Sequence, residues 1–138
     1  MKNMIFSALI LFLFTSCKKS EISGDVLNEP ISPSAITIFK GNFTGTPGHT
    51  VSGNVEIISE NNQKKLVLKN FSTTNGPDLK IYIATSQQAT AFISLGNLKS
   101  TNGQQVYDIS GMPDFVQYKY VLIWCQQFSV LFGTAELK

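Results

Sequence analysis

The sequence contains no arginine, a single histidine and only two cysteines. All eleven of its basic residues are therefore lysines, and they face nine carboxylates. Arginine is the residue that best recognises phosphate through two parallel hydrogen bonds, and a nucleic-acid interface needs a clustered basic surface. The lysines show no such cluster, so the composition argues against a nucleic-acid-binding protein.

Sequence motifs for common catalytic and cofactor sites are also absent. One histidine and one available cysteine are too few for a zinc site, which takes three or four protein ligands. There is no phosphate-binding loop, no dinucleotide fingerprint and no C-x-x-C-H motif for covalent haem attachment. A Cys-His nucleophile would need a third orienting group, and no signature for one is visible.

The first residues predict an export signal rather than part of the folded domain. Lys2 precedes an apolar run from Met4 to Phe14, which is too short to span a bilayer as a mature helix. The run ends at Thr15-Ser16-Cys17, which resembles a bacterial lipobox, although Phe14 stands where an aliphatic residue is usual. We therefore expect residues 1–16 to be a lipoprotein signal peptide. An ordinary signal peptide is the alternative.

Acylation of Cys17 would anchor the protein to the bacterial cell envelope outside the cytoplasm, with the outer membrane as the expected membrane. The lipid bilayer is then one partner. Residues 17–34 contain glycine, proline and serine without apolar periodicity, which is typical of a flexible tether. Such a tether would hold the domain on the order of 20 to 25 Å from the membrane.

Residues 35–138 form the predicted folded domain. They show about eight short runs of alternating or continuous apolar residues separated by turn residues, with no helical period. This pattern predicts an all-β fold, a single antiparallel sandwich or barrel-like domain. The residues expected to point mainly inward are Val51, Val55, Ile57, Ile81, Ile83, Val121 and Ile123. Gly76 and Pro77 are expected to form a tight turn in which glycine supplies a positive φ.

Cys125 is the residue that most needs an explanation. If Cys17 is acylated, Cys125 has no partner for an intrachain disulfide, although the compartment is oxidising. It shares strand parity with Val121 and Ile123, and His49 shares parity with the inward residues of its own strand. Cys125 is a candidate redox thiol, a candidate haem ligand together with His49, or a core residue, since free cysteine is commonly buried.

The order of several motifs resembles the electron-transfer DM13 (DM-thirteen) domain family. The residues that carry the resemblance are Phe71, Gly76-Pro77-Asp78, Gly103, Tyr107, Trp124-Cys125, Phe132-Gly133 and Ala135. The resemblance covers roughly residues 36–137. It implies a β-rich extracellular domain in which Cys125 acts in a redox reaction, as a bare thiol or as a haem ligand.

We therefore expect a membrane-anchored redox or electron-transfer domain centred on Cys125, with haem as a candidate cofactor and a separate, unidentified protein as redox partner. His49 and Lys119 are the expected positive neighbours of a partly shielded thiol. The alternative is a non-catalytic binding module on a lipid anchor. It would display the loops "NFTGTPGH" and "STTNGPD" to a partner.

Overall fold

The computed structural model describes residues 22–138. The predicted signal peptide and the lipidation site at Cys17 lie outside the described residues. Within residues 22–138, no helix is long and apolar enough to cross a membrane.

The described chain folds into nine strands that form one curled sheet, a half-barrel, in the order β1-β7-β4-β3-β2-β9-β8-β5-β6. The all-β prediction is confirmed, with one strand more than the roughly eight expected. The strands are β1 Ser23–Asn28, β2 Ile36–Gly45, β3 Val51–Glu60, β4 Gln63–Thr73, β5 Leu79–Ala84, β6 Phe92–Asn97, β7 Ser100–Ile109, β8 Tyr120–Cys125 and β9 Val130–Glu136.

The concave face of the half-barrel carries the main apolar core. Successive side chains of a strand point to opposite faces, so residues of one parity on each strand meet inside. The prediction of inward residues is confirmed: each of them is buried and belongs to this core, namely Val51, Val55, Ile57, Ile81, Ile83, Val121 and Ile123. Burial of each such side chain stabilises the fold by about 1.5–3 kcal/mol relative to exposure.

Strand β8 is apolar on both faces, as the sequence indicates. Val121, Ile123 and Cys125 point into the main core, while Leu122 lies in a second, smaller cluster on the outer face. Trp124 packs against that outer cluster, 6.4 Å from the ring of Tyr82. The thiol and the tryptophan therefore lie on opposite faces of the sheet.

The antiparallel pairings give the half-barrel two distinct ends. One end, which we call the cap end, holds four connections: β2–β3, β4–β5, β6–β7 and β8–β9. The connections β3–β4, β5–β6 and β7–β8 lie at the other, the far end. Cys125 is the last residue of β8 and therefore lies at the cap end.

The expectation of a flexible tether through residue 34 is wrong for residues 23–28. They form β1, which pairs in parallel with β7 from Ser23 opposite Ser100 to Asn28 opposite Gln104. Without β1, strand β7 would leave a row of unpaired backbone groups at a sheet edge. The sequence pattern misses this strand because five of its six residues are exposed, which removes the alternation of apolar and polar positions.

Candidate functional site

The thiol of Cys125 is completely enclosed, with 0% of the residue exposed. Its strand neighbours in register are Leu79 on β5 and Val130 on β9. Side chains directly opposite in an antiparallel pair have Cβ atoms about 5 Å apart, so Leu79 and Val130 flank the thiol. Cys125 is thus buried more deeply than the partly shielded thiol that we expected.

A β-bulge brings Phe132 to the same end of the core. Ile123 pairs with Gly133, whereas the next residue, Trp124, pairs with Leu131, which leaves Phe132 as the extra residue. A bulge of this kind changes the direction of a side chain, and bulges are frequent beside functional sites. The ring of Phe132 is 5% exposed and lies in the same core cluster as Cys125.

His49 occupies the last position of a β-turn rather than a strand. The backbone N–H of His49 donates to the carbonyl of Thr46 at 2.9 Å, and Gly48 has φ +86°. Proline at the second position and a positive-φ glycine at the third are the marks of a type II turn, and Pro47-Gly48 supplies both. The turn therefore determines where the imidazole is placed.

The turn is attached to the bulge by hydrogen bonds. The backbone N–H of Thr46 donates to the carbonyl of Phe132 at 2.9 Å, and the Thr46 hydroxyl donates to the carbonyl of Leu131 at 2.7 Å. As a result, the ring of His49 stacks on the ring of Phe132 with centroids 3.7 Å apart and an angle of 17° between planes. The imidazole is half-buried. It contacts Phe132, and no hydrogen bond joins it to the Cys125 thiol within residues 22–138.

Gly76 closes this end of the core from the side of the β4–β5 loop. A Cβ added at Gly76 would lie 2.9 Å from Cδ2 of Leu79 and 2.9 Å from Cζ of Phe132. Gly76 is absent from the glycines with positive φ, so our expectation of a positive-φ turn there was wrong. Glycine is needed at this position because the backbone approaches two buried side chains closely.

The loops at the cap end are also joined to one another through their backbones. Thr74 N–H donates to the carbonyl of Thr50 at 3.0 Å, and Gln126 N–H donates to the carbonyl of Asp78 at 2.9 Å. We call His49, Phe132 and Gly76 the cap, because together they close the core beside Leu79 and Cys125. Phe132 is the part of the cap that sequence reasoning missed, since alternation of apolar residues does not indicate a bulge.

Lys119 is not a neighbour of the thiol, and that expectation was wrong. It precedes β8 at the far end, six residues from Cys125, which corresponds to about 20 Å along an extended strand. Its ammonium forms an ion pair with Glu136 at 2.8 Å. The hydrogen bond with Glu136 raises the pKa of Lys119, and the same contact lowers the pKa of Glu136.

The described residues do not fit a haem held by Cys125 and His49. An iron ligand needs room for the porphyrin plane beside it, whereas Cys125 has no exposed surface and the face of His49 is covered by Phe132. A pocket of about 650 Å³ lies elsewhere and is lined mainly by polar side chains such as Lys40, Asn54 and Glu56. Residues 22–138 also contain no cluster of three or more His, Cys, Asp or Glu side chains able to hold a metal ion.

What remains at the cap end is a buried thiol in the same core cluster as Phe132, whose ring stacks on that of His49. Thiol chemistry proceeds through the thiolate and requires access of the reaction partner to sulfur. The closed arrangement denies that access.

A family model described as "Electron transfer DM13" matches residues 42–137, a span that contains β3 to β9 and every residue of the cap. No curated protein and no solved structure matches the chain.

Proposed function

Because the chain belongs to the electron transfer DM13 family, we propose that it is a lipid-anchored, extracytoplasmic redox domain whose reactive group is the thiol of Cys125. The anchor in this proposal is Cys17, and the location is the bacterial cell envelope. The observation that supports the proposal best is the position of Cys125. It is the free cysteine of the described residues, and it lies directly under a cap built from loops.

The position of Cys125 at the end of a strand matters for this function. A thiol in the middle of β8 would be followed by further paired residues of the strand, whereas Cys125, although it is paired with Leu79 and Val130, is the last residue of β8. Cys125 is covered at the strand end by a turn, a bulge and a loop, which are the kinds of segment that open with the smallest free energy. Shielding also protects a lone thiol from irreversible oxidation in an oxidising compartment.

The reaction that we propose is thiol–disulfide exchange with a disulfide-bearing partner protein. The Cys125 thiol loses its proton to solvent, and the thiolate attacks one sulfur of the partner disulfide. A new S–S bond forms as the partner S–S bond breaks, and the other partner sulfur leaves as a thiolate that takes a proton from solvent. Cys125 is oxidised to the mixed disulfide and the partner is reduced.

His49 has the role of a gate residue in this proposal. Its ring rests on Phe132, so rotation of the imidazole away from Phe132 is the first step in uncovering the core. A role as a hydrogen-bonded base for the thiol receives no support from the contacts of the imidazole, which stacks on Phe132. The proposal therefore assigns the redox chemistry to Cys125 and the control of access to His49 and Phe132.

The test is the reaction of the full-length acylated protein with a chromogenic aromatic disulfide, followed by mass spectrometry. We expect slow formation of one mixed disulfide at Cys125 under conditions in which the protein stays folded, and no product with Cys125→Ser. If the native protein reacts only at the rate of global unfolding, measured in parallel by hydrogen exchange of the core amides, Cys125 is a core residue and the redox proposal fails.

The second candidate function is a lipid-anchored binding module, and the full burial of Cys125 favours it. The two loops predicted to be displayed lie side by side, because Thr74 N–H donates to the carbonyl of Thr50 at 3.0 Å. Thr50, Thr74 and Asn75 are exposed and form a continuous surface. On this hypothesis Cys125→Ser keeps partner binding, while Asn75→Ala weakens it.

A further inference from the structure

We propose that the cap end of the half-barrel rests on the bilayer that holds the acyl chains of Cys17, with Phe128 inserted among the lipids. This inference rests on one part of the proposed function, the acylation of Cys17. It adds an orientation: the end of the domain that carries Cys125 faces the membrane.

The first argument is the place where the described chain begins. Ile22 packs against the main core and lines a pocket together with Pro77, Leu79 and Leu98, all of which belong to the cap end. The next residue, Ser23, pairs with Ser100 at the start of β7. The chain that leads back to Cys17 therefore leaves the domain at the cap end.

The second argument is the length of chain between Cys17 and Ile22. Only five peptide steps separate the two residues, and at full extension they span about 17 Å. Strand β3 has ten residues, so the far end lies about 30 Å from the cap end. A link of this length cannot bring the far end to the membrane. It also replaces the longer tether expected from the sequence.

The third argument is the exposed aromatic residue at the tip of the β8–β9 turn. Phe128 is 64% exposed, and Val130, two residues further along the chain, is 36% exposed. The residues that separate Phe128 from β8 are Gln126 and Gln127, which carry no charge. An exposed aromatic side chain next to a lipid anchor adds apolar contact area to the interface, and a second membrane contact converts weak anchoring into stable anchoring.

The charges at the cap end are compatible with a membrane surface. Asp78 is paired with Lys80 at 2.7 Å. This ion pair neutralises a carboxylate that would otherwise be repelled by anionic headgroups. Asp25, on the edge strand β1, has no lysine partner among residues 22–138.

A partner that reaches Cys125 through the cap must approach along the membrane surface in this orientation. The proposal therefore restricts the redox partner to proteins held at the same bilayer. It also gives Phe128 a role, whereas the proposed redox step does not use this residue.

The experiment uses the acylated full chain in vesicles of phosphatidylethanolamine and phosphatidylglycerol with brominated acyl chains, which quench tryptophan that inserts among them. Phe128→Trp is compared with Met112→Trp, both in a Trp124→Phe background. Met112 is the matched control because it is 78% exposed and lies in the β7–β8 connection at the far end. We expect at least threefold stronger quenching for Phe128→Trp.

Equal quenching of the two variants overturns the proposal, and so does a mature protein without acyl chains on Cys17. A measurement on the unmodified sequence guards against misfolded variants: on vesicles, the amides of residues 126–129 should gain protection from deuterium exchange, and those of residues 110–116 should not. Protection of both segments, or of neither, also overturns the proposal. Neither readout involves Cys125 chemistry, so failure of the redox function would leave these results unchanged.

Discussion

The two ends of strand β8 close the same core in different ways. At the far end, Lys119 forms an ion pair with Glu136 at 2.8 Å, and the ring of Phe115, which belongs to the ten-residue connection between β7 and β8, packs 5.5 Å from that of Phe39. At the cap end, a four-residue turn follows Cys125, and stacked rings with backbone hydrogen bonds complete the closure. The thiol thus lies at the end of the core that is closed by short loops joined by hydrogen bonds.

This comparison teaches that burial alone does not define the role of a cysteine. Cys125 and Ile123 are both 0% exposed and belong to the same cluster. Ile123 has a further residue of β8 on each side, whereas Cys125 is followed directly by a turn. In the proposed function, local opening at the cap end would expose the thiol without breaking the centre of the sheet.

The largest expected effect on stability comes from adding a side chain at Gly76, where the backbone lies close to two buried side chains. Gly76→Val should lower the free energy of unfolding by about 3 kcal/mol, because the new side chain would overlap Leu79 and Phe132. Chemical denaturation measures the change. The control is Gly24→Val on β1, where a Cβ would meet nothing within 4 Å and where we expect less than about 0.5 kcal/mol. Equal effects of the two substitutions would contradict the closure at Gly76.

Substitutions of Cys125 test whether water or a polar group reaches its side chain. Cys125→Ser should cost about 2 kcal/mol, because its hydroxyl would be buried without a hydrogen-bond partner. Cys125→Ala should cost about 1 kcal/mol, since it leaves only a small cavity. Denaturation curves of both variants provide the test. A serine variant more stable than the alanine variant would show that water or a polar group reaches the site.

The hydrogen bonds from Thr46 connect the turn to the bulge. Thr46→Val keeps the shape of the side chain and removes its hydroxyl, so we expect a loss of about 1 kcal/mol and faster deuterium exchange of the cap-end amides. Thr50→Val, at an exposed position of the same loop, is the matched control. If exchange at the cap end is the same in both variants, Thr46 does not hold the turn in place.

The smallest effect on stability is expected from removing the ion pair between Lys119 and Glu136 at the far end. The partnership with Lys119 lowers the pKa of Glu136 in the folded state, so its stabilising contribution is present above the unfolded pKa and is lost as the pH falls through the folded pKa. Both side chains are on the surface, where ion pairs contribute little. Glu136→Gln should therefore have a small effect at neutral pH that disappears in acid, and it should leave the reactivity of Cys125 unchanged. Faster labelling of Cys125 in this variant would show that the two ends are coupled.

Much of the sheet could be predicted from the sequence, because strand alternation is a local property. The parity of Ile81, Val121 and Ile123 correctly placed these residues in the core. Strand β1 could not be found in this way, since its stability comes from pairing with the edge of β7 rather than from an apolar face.

The candidate site was less predictable, because it depends on contacts between distant segments. His49 was expected to be the polar neighbour of the Cys125 thiol, whereas its ring stacks on Phe132, a contact that depends on a β-bulge and a turn that no local pattern reveals. Lys119 was misplaced because proximity in sequence to Cys125 becomes about 20 Å of separation along an extended strand.

The central claim, that the cap controls access to Cys125, is tested most directly by comparing Phe132→Leu with Phe115→Leu in the acylated full-length protein. Both residues are buried phenylalanines of the main core, at 5% and 6% exposure, and only Phe132 belongs to the cap. The measured quantity is the rate of mixed-disulfide formation at Cys125, with the free energy of unfolding of each variant determined in parallel. We expect at least tenfold faster reaction in Phe132→Leu than in Phe115→Leu after correction for stability. Rates that follow global stability alone would contradict the account.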